Sequence, residues 1–534
     1  MRMHQKDLIY LQENSFKYLY WVLLLFYIVM YTTFGFEDGD MGTIFSISWS
    51  MYNGYFPYTD FTYIKPPFSP YFHSLFLYIT EDYAYLINRG FYYIQVFLYS
   101  YFAAKLLCKI FKINSKNTVY FIAILGALIS IHNYPPMPWN TVDGIFFSIL
   151  GTYFLLHRKE KIWQIILGTF LISLGVLCKQ SFFFFPVFLT AYLILLKNYK
   201  KATIFVISGL VTAILFIIIL FLNDAWDAFY NQIFSFTPAS SFINTAIKVY
   251  YLAFKFNYLL IIGLLSVFFL VKKYLPNHVT FLYAITSIAV LFLYFYLHKD
   301  SYHTVKNALM QSLLVISALY ALYFAKKDKR YWFLLLLLSL SWCAAISNGF
   351  NTPIHFSTPI VFTFFIMSYD LKTFAFSKLV GSISVLCFVI VFYVGYQNVY
   401  MDSNRKELTY NMGAIYPQLS CIKSDKPTYE KYLELKKLSQ NYTNYTILPS
   451  VTLGHYLTKT KNPIGVDWVF NHHLADQIQL YIDKLETKNV TVFLENFENN
   501  INNYEETSLL TVYVKNNWKL VEKRNYFRVY KKSQ

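Results

Sequence analysis

Apolar runs long enough to cross a lipid bilayer recur along most of this chain. About thirteen runs of roughly 16 to 25 residues lie between residues 18 and 397, near 18–36, 83–107, 117–132, 141–156, 162–178, 182–197, 201–222, 254–271, 278–297, 306–325, 331–346, 353–369 and 377–397. Hydrophobic residues make up 56% of the chain and charged residues only 14%, so too little polar surface exists to cover a soluble globule of 534 residues. The sequence therefore predicts a mainly α-helical membrane protein with about thirteen transmembrane helices.

The positive charges indicate which connections between these runs face the cytoplasm. The net charge is +17, and clusters of Lys and Arg fall in alternate connections, at 105–116, 157–161, 197–201, 272–273 and 326–330. Because positive loops stay on the cytoplasmic side, these loops and the N-terminus are predicted to be cytoplasmic. The remaining loops then face outward, at 37–67, 132–141, 179–181, 223–246, 298–303 and 347–357. This topology explains the basic charge, so nucleic-acid binding is not predicted.

The composition changes after the last apolar run. Residues 399–534 are richer in Lys, Glu, Asn and Thr, which indicates a soluble domain placed outside the cytoplasm, whereas residues 1–398 form the membrane domain. Short β-rich stretches and one helical pattern predict that this soluble domain is a small α/β domain, with strands at Thr446–Ser450 and Val490–Leu494, a hairpin of Trp518–Val521 with Tyr526–Tyr530, and a helix at Leu474–Leu485.

Charged side chains collect in the loop at 36–70, directly after the first apolar run. The loop opens with the acidic stretch 37–40, and a short amphipathic pattern between residues 42 and 53 predicts a helix lying along the outer membrane surface. Prolines then turn the chain back toward the membrane, so we expect the acidic stretch, Asp60 and Lys65 to lie near one another at the interface.

The motifs of this loop follow one another as an acidic pair, a surface helix, Asn-Gly at 53–54, Pro-Tyr-Thr-Asp at 57–60 and Lys-Pro-Pro at 65–67. That order resembles the first external loop of the GT-C superfamily of glycosyltransferases. This superfamily uses lipid-phosphate sugars and includes protein O-mannosyltransferases and lipid A aminoarabinose transferases. The resemblance implies a GT-C-like bundle of about thirteen spans with an extracytoplasmic C-terminal domain, and a catalytic first external loop.

The resemblance also assigns roles to residues of this loop. An Asp at the head of the family's loop acts at the acceptor nucleophile, which implies that Asp40 or Asp38 is the catalytic base. Counting back from Gly54 aligns Asp40 with the second acid of the family's usual acidic pair. A shift of one residue in this alignment would favour Asp38 instead. The alternative is that these acids only cap the surface helix. The family's Lys-Pro-Pro makes Lys65 the first candidate for binding the departing phosphate, which requires cations.

Three further residues stand at the ends of apolar runs. Lys179 is the second candidate for the phosphate, because a cation beside two apolar runs is costly without an anionic partner; the alternative is a lysine that snorkels to the interface. Asp143 matches the place where several family members carry a second acid, and it could pair with Lys65, hold a metal or cap a helix. Arg89 is predicted to be an interfacial anchor.

Two outward loops carry His303 and His355, which could bind the lipid phosphate or a divalent metal. The chain has no tight spacing of His, Asp and Glu of the zinc-protease kind, and its five cysteines show no metal-type spacing. No cofactor is therefore predicted with certainty, and a divalent metal is left open.

These observations predict an inverting glycosyltransferase that moves a sugar from a polyprenyl-phosphate donor to a lipid, glycan or protein acceptor. It would act among the membrane lipids at the outer face of a bacterial inner membrane. Two other hypotheses share the topology. A transporter or flippase for lipid-linked glycans would place charges near span centres, whereas here they lie at span ends. A ligase or polymerase of such glycans would place its main loop late in the membrane domain, with several arginines.

Overall fold

The structure is a computed structural model that describes residues 5–131, 136–156, 161–235, 242–274, 296–297, 302–347, 351–370, 385–386, 388–394, 396, 402–469, 474, 477–496 and 508–532. The described residues before residue 371 form helices joined by loops and turns. Its α-helices are α1 Gln5–Tyr31, α2 Asp40–Tyr52, α3 Phe68–Ile79, α4 Ala84–Ile110, α5 Lys116–Ile131, α6 Asn140–Leu155, α7 Ile162–Val176, α8 Phe184–Leu195, α9 Tyr199–Leu222, α10 Trp226–Tyr230, α11 Val249–Tyr274, α12 Tyr302–Ala325, α13 Arg330–Ala345 and α14 Thr358–Asp370. Short 3₁₀ or π turns lie at Gln180–Phe183, Asn231–Ser235, Asn244–Lys248 and Pro353–Phe356.

Two of the described helices are both long and apolar enough to cross a membrane, Tyr199–Leu222 and Thr304–Ala325. Six shorter apolar helices accompany them, at Ser15–Tyr31, Lys116–Ile131, Ile162–Val176, Gln180–Leu195, Arg330–Ala345 and Thr358–Ser368. Helix α9 leaves most of its apolar side chains exposed, which is costly in water and favourable in lipid. The predicted number of about thirteen spans is not confirmed, and the predicted runs at 278–297 and 377–397 lie largely outside the described residues.

Helices α6 and α7 form a tightly packed hairpin. A Cβ atom at Gly151 or Gly168 would collide with the backbone of the opposite helix, so glycine at these positions lets the two backbones touch. The hairpin brings the start of α6 beside the end of α7. Asn140 donates to the carbonyl of Cys178 over 2.9 Å, and residues on either side of this bond belong to the candidate site described below.

Loops at one end of the bundle contact one another. The Gln180 amide donates to the carbonyl of Ile64 over 2.6 Å, and the Trp139 ring lies 4.6 Å from the ring of His355. At the opposite end, Arg330 donates to the carbonyl of Phe111 over 3.2 Å. Four of the loops that were predicted to face outward thus contact one another in two pairs.

Helix α2 begins at Asp40 and ends at Tyr52, close to the predicted bounds, and Gly54 follows it with a φ of +84°. That it lies along the membrane surface stays a prediction, and most of its residues are buried against protein. The Tyr456 ring of the C-terminal region packs on Phe45 and Trp49 at 4.9 and 5.6 Å. An amphipathic pattern shows that a helix has an apolar face and does not show what covers that face.

The C-terminal region contains a four-stranded sheet, whose strands lie in the order Tyr445–Leu448, Thr491–Glu495, Phe527–Lys532 and Trp518–Lys523. Its elements are the short strands β1 Tyr410–Asn411 and β2 Lys423–Ser424, helix α15 Lys426–Asn441, β3 Tyr445–Leu448, α16 Gly454–Leu457, α17 Ile478–Thr487, β4 Thr491–Glu495, α18 Leu509–Asn517, β5 Trp518–Lys523 and β6 Phe527–Lys532. Strands β3 and β4 are parallel, and β5 and β6 form the predicted antiparallel hairpin. The predicted strands and the predicted helix near 474–485 are therefore present.

One hydrophobic core runs from the bundle into this region. Phe45 and Tyr85 of the helical part belong to the same buried cluster as Tyr432, Leu453 and Phe493. A second, smaller cluster fills the other face of the sheet. The C-terminal region is consequently packed onto the first external loop.

Candidate active site

The acidic stretch after α1 divides into three carboxylates with different surroundings. Glu37 is buried, and its side chain accepts hydrogen bonds from the backbone N–H groups of Gly39, Asp40 and Met41 at 2.7, 3.0 and 2.6 Å. It therefore caps the N-terminus of α2, where a carboxylate is favoured. Burial, together with the neighbouring charge of Asp40, raises the pKa of Glu37 to about 8. The capping role considered for these acids belongs to Glu37.

Asp38 is bound by the C-terminal region. Its carboxylate accepts hydrogen bonds from the Tyr432 hydroxyl, from the backbone N–H of Leu453 at 2.8 Å and from the Thr452 hydroxyl at 3.2 Å. Burial raises the pKa of Asp38 to about 7, and the nearby charge of Lys431 opposes this rise. The contacts of Asp38 thus point to holding the loop rather than to taking a proton from a substrate.

Asp40, Lys65 and Lys179 form the candidate centre. The charge of Asp40 acts on both ammonium groups, and the charge of Lys65 acts on Lys179. Burial lowers the pKa of Lys179 to about 7, and repulsion by Lys65 adds to this effect. Burial also lowers the pKa of Lys65, which Asp40 partly offsets. The structure therefore brings together three residues that the sequence predicted from two separate loops.

The two lysines make hydrogen bonds to neutral groups. Lys65 Nζ lies 3.4 Å from the Asn140 side-chain oxygen, and Lys179 Nζ lies 3.1 Å from the Thr141 hydroxyl and 3.5 Å from the carbonyl of Ala344. Lys179 is nearly buried, so it does not snorkel to an interface. Desolvated cations that repel each other are stabilised by an anion, and lysine is a common ligand of phosphate groups.

The loop that carries Lys65 is held from both sides. The Tyr58 hydroxyl donates to the carbonyl of Lys65 over 2.8 Å, and Gln232 accepts from the backbone N–H of Tyr63 at 2.9 Å. Asn140 donates to the Tyr63 hydroxyl over 2.7 Å. Polar groups from three outward loops therefore fix the position of Lys65.

His355 lies beside Lys179 on the 3₁₀ turn between α13 and α14. Burial, and then the charges of Lys179 and Lys306, lower the pKa of His355 well below its ordinary value, so the ring is neutral at pH 7. Lys306 is 1% exposed and was missed by the sequence analysis, although a lysine three residues after His303 at the start of an apolar run is a usable signal. The side chain of His303 lies outside the described residues.

Asp143 belongs to a separate polar network. Its carboxylate accepts hydrogen bonds from the Ser69 hydroxyl and from the Gln95 amide at 2.7 Å, and it lies 2.9 Å from His73 Nε2. Asp143 and its three partners are completely or almost completely buried. Trp139 is the cap of α6, and no side chain caps that helix. Three roles were considered for Asp143. Its described contacts include neither a capping hydrogen bond to α6 nor an ion pair with Lys65. His73 and Gln95 were missed, because single polar residues inside apolar runs carry no recognisable motif.

Two other positions singled out from the sequence, Asp60 and Arg89, have the following surroundings. Asp60 is exposed, and its carboxylate accepts from the backbone N–H of Phe56 at 2.8 Å, which closes a turn. Arg89 is fully buried and donates to the carbonyl of Thr32 over 2.8 Å and to that of Phe34. The prediction of an interfacial anchor was wrong for Arg89, because its side chain is buried and donates to backbone carbonyls just after the end of α1.

A metal ion would need converging ligands. Within the part of the chain that the structure describes, no three His, Cys, Asp or Glu side chains converge so that they could hold one. The candidate centre instead combines one carboxylate with cations, which is a donor set suited to an anionic ligand.

No protein-family model matches the chain, and neither does any curated protein. Two solved structures of ArnT from Cupriavidus metallidurans are similar to it, one bound to undecaprenyl phosphate and one in the apo state. Each is 11% identical, covers 97% of this chain and 98% of its own, and superposes with a TM-score of 0.46. At this identity and TM-score, function has to be inferred from the side chains themselves.

Proposed function

We propose that this protein is a membrane glycosyltransferase that moves a sugar from a polyprenyl-phosphate donor to a lipid, glycan or protein acceptor, with inversion at the sugar carbon. The observation that carries the proposal is the cluster of Asp40, Lys65 and Lys179, in which one carboxylate acts on the ammonium groups of the buried Lys179 and the partly buried Lys65. A sugar transfer from a lipid phosphate needs a base for the acceptor and cations for the leaving phosphate, and this cluster supplies both.

In this scheme Asp40 accepts the proton of the acceptor's nucleophilic group as that group attacks the anomeric carbon. The bond between this carbon and the phosphate oxygen breaks on the opposite face, and the lipid phosphate leaves with the electron pair. Lys65 and Lys179 hold the phosphate and stabilise the charge that grows on it. Lys306 adds a positive charge beside His355, whose neutral ring can donate one hydrogen bond to a phosphate oxygen. Asp38, Asp60 and Asp143 contact no substrate in this scheme.

The proposal includes the membrane arrangement predicted from the sequence. Residues 1–398 would form about thirteen spans in a bacterial inner membrane, with the N-terminus in the cytoplasm and residues 399–534 outside it. The exposed apolar surface of α9 and the contacts between outward loops support this arrangement. A lipid-linked donor can enter such a site laterally from the membrane.

The test is transfer of radiolabelled sugar from a panel of polyprenyl-phosphate sugars in reconstituted vesicles. Asp40→Asn is expected to lower kcat by about 10²- to 10⁴-fold, because it removes the base, while Lys65→Ala mainly impairs donor use. The matched control is Asp82→Asn, which changes an exposed acid outside the cluster.

Either of two results would reject the proposal. One is that wild-type protein consumes no donor of the panel and instead moves lipid-linked glycan across the vesicle membrane. The other is that Asp40→Asn transfers sugar at the wild-type rate. A product that carries a whole glycan chain would indicate a ligase or polymerase.

A further inference from the structure

The C-terminal region makes hydrogen bonds with both ends of the segment that carries Asp40 and Lys65. Lys423 exchanges backbone hydrogen bonds with the end of α1, through the N–H of Gly35 at 2.9 Å and the carbonyl of Thr33 at 2.8 Å. Further on, the N–H of Thr62 donates to the carbonyl of Gly465 over 2.9 Å. The loop that carries Asp40 and Lys65 is therefore fixed by residues more than 350 positions away in the sequence.

Asp38, two residues before Asp40, makes several contacts of this kind. Both of its carboxylate oxygens accept hydrogen bonds from the C-terminal region, and the Thr452 hydroxyl also contacts the Asp38 backbone carbonyl. The first turn of α2 lies so close to Thr452 that a Cβ atom at Gly42 would collide with the Thr452 hydroxyl. The C-terminal region consequently contacts both the side chain of Asp38 and the backbone of this turn.

The groups that bind Asp38 are themselves anchored. Lys431, next to Tyr432 on α15, forms a 2.5 Å ion pair with the buried Glu495 at the end of β4. Glu495 also accepts from the backbone N–H of Ser450 at 2.9 Å, two residues before Thr452. Helix α15 and the 450–453 turn, which supply the donors to Asp38, are thus connected to each other through Glu495 of strand β4.

We propose that Asp38 is a positioning residue, through which the C-terminal region fixes the first turn of α2 and so aims the carboxylate of Asp40 at the acceptor. This inference rests on the function proposed above. The Glu37 carboxylate accepts hydrogen bonds from backbone N–H groups of the same turn. The two carboxylates together leave Asp40 little freedom, and misplacing a catalytic group by about 1 Å can cost about 100-fold in rate.

The contacts of Asp38 also distinguish positioning from base catalysis. A base needs an oxygen within reach of the acceptor's proton, whereas the oxygens of Asp38 are engaged by three donors of the C-terminal region. An asparagine can keep the bonds from Leu453 and Thr452 through its carbonyl oxygen, and the Tyr432 hydroxyl can turn to accept from its amide. Asn is therefore expected to replace Asp38 in a positioning role and to fail in a catalytic one.

The experiment compares full-length Asp38→Asn, Asp38→Ala and Tyr432→Phe proteins by steady-state kinetics and by amide hydrogen exchange. Asp38→Ala is expected to lower kcat by about 10- to 100-fold with the donor KM changed less than about twofold, and to speed exchange in the segment 36–45. Asp38→Asn should stay within about fivefold of wild-type kcat, and Tyr432→Phe should fall between the two. The matched control is Ser46→Ala, which removes a 2.7 Å bond from α2 to Asp467 farther along the helix and should change neither kcat nor exchange at 36–45.

Two results would overturn the inference. If Asp38→Asn is as inactive as Asp40→Asn while its exchange is unchanged, Asp38 acts as a base. If Asp38→Ala keeps wild-type kcat, the contact does not aim Asp40. Wild-type protein that transfers no sugar would reject the proposed function, and exchange in segment 36–45 would then decide by itself whether the C-terminal region holds α2.

Discussion

Two groups of buried charged side chains meet at the start of α6, and they are satisfied in opposite ways. At Asp143, side chains of α3 and α4 surround one carboxylate, and both of its oxygens have partners. One turn earlier, Asn140 and Thr141 contact two lysines that repel each other. In the first group both oxygens of the carboxylate have partners within the protein. In the second group the two lysines donate, among the described residues, only to neutral groups, and an entering anion is expected to stabilise them.

This difference shows how a buried charge can be assigned a role. Both groups look alike in the sequence, as polar residues beside apolar runs. A charge whose hydrogen bonds are all made within the protein contributes to stability and specificity of packing. Cations that burial and mutual repulsion both disfavour indicate a ligand site. The following predictions test this contrast, and they are ordered by their effect on sugar transfer.

The largest effect is expected for Lys179→Ala. Losing a buried cation that binds the phosphate should cost about 2–5 kcal/mol of transition-state stabilisation, which lowers kcat/KM by about 30- to 5000-fold. The thermal unfolding midpoint should stay the same or rise, because a desolvated and repelled charge is removed. Kinetics in vesicles and thermal unfolding in detergent measure both quantities.

Lys161→Ala serves as the control for that change, since Lys161 is exposed at the opposite end of the bundle. A Lys179→Ala protein that is strongly destabilised but fully active would show that Lys179 belongs with the first group and not with the ligand site.

A smaller effect is expected from pH. Lys179 is protonated below its pKa of about 7 and becomes neutral above it, so its attraction for the donor's phosphate is lost as the pH rises. Above pH 7, kcat/KM for the donor should fall, by up to about tenfold per unit of pH. Lys179→Arg should remove this decline, because arginine stays charged throughout the range. An unchanged decline in the arginine variant would assign the titration to another group.

The smallest effect on transfer is expected for Asp143→Ala. This change leaves the donors of Ser69, His73 and Gln95 without their acceptor, and each buried unsatisfied group costs about 1–3 kcal/mol. We expect a loss of stability of about 3–5 kcal/mol, as is usual when one partner of a buried pair is removed, while the rate per folded molecule changes less than about threefold. Denaturant unfolding in mixed micelles and active-site-normalised transfer measure the two.

Asp143→Asn is the conservative partner of that variant and should recover much of the stability, since its carbonyl oxygen still accepts. If Asp143→Ala instead abolishes transfer in a protein of normal stability, Asp143 acts on the substrate, as the sequence resemblance allowed.

Much of the fold could be predicted from the sequence. The helical part follows from long apolar runs, and the strands of the C-terminal sheet follow from short alternating stretches with a turn at 523–525. Lys65 and Lys179 could be singled out because charged residues are rare beside apolar runs and need a reason to be there. Helix α2 could be recognised from its spacing, whereas its cover by Tyr456 could not, since an apolar face does not name its partner.

The sequence by itself determined the helical class, the C-terminal strands and the short list of charged candidates, because these depend on local periodicity and on the cost of charge in an apolar chain. Only the tertiary structure separated Asp38 from Asp40 and Asp143 from the lysines. Such roles depend on which donors reach each carboxylate, and the donors to Asp38 come from residues 432 to 453. Contacts between residues that are hundreds of positions apart are formed by packing, and local sequence contains no record of them.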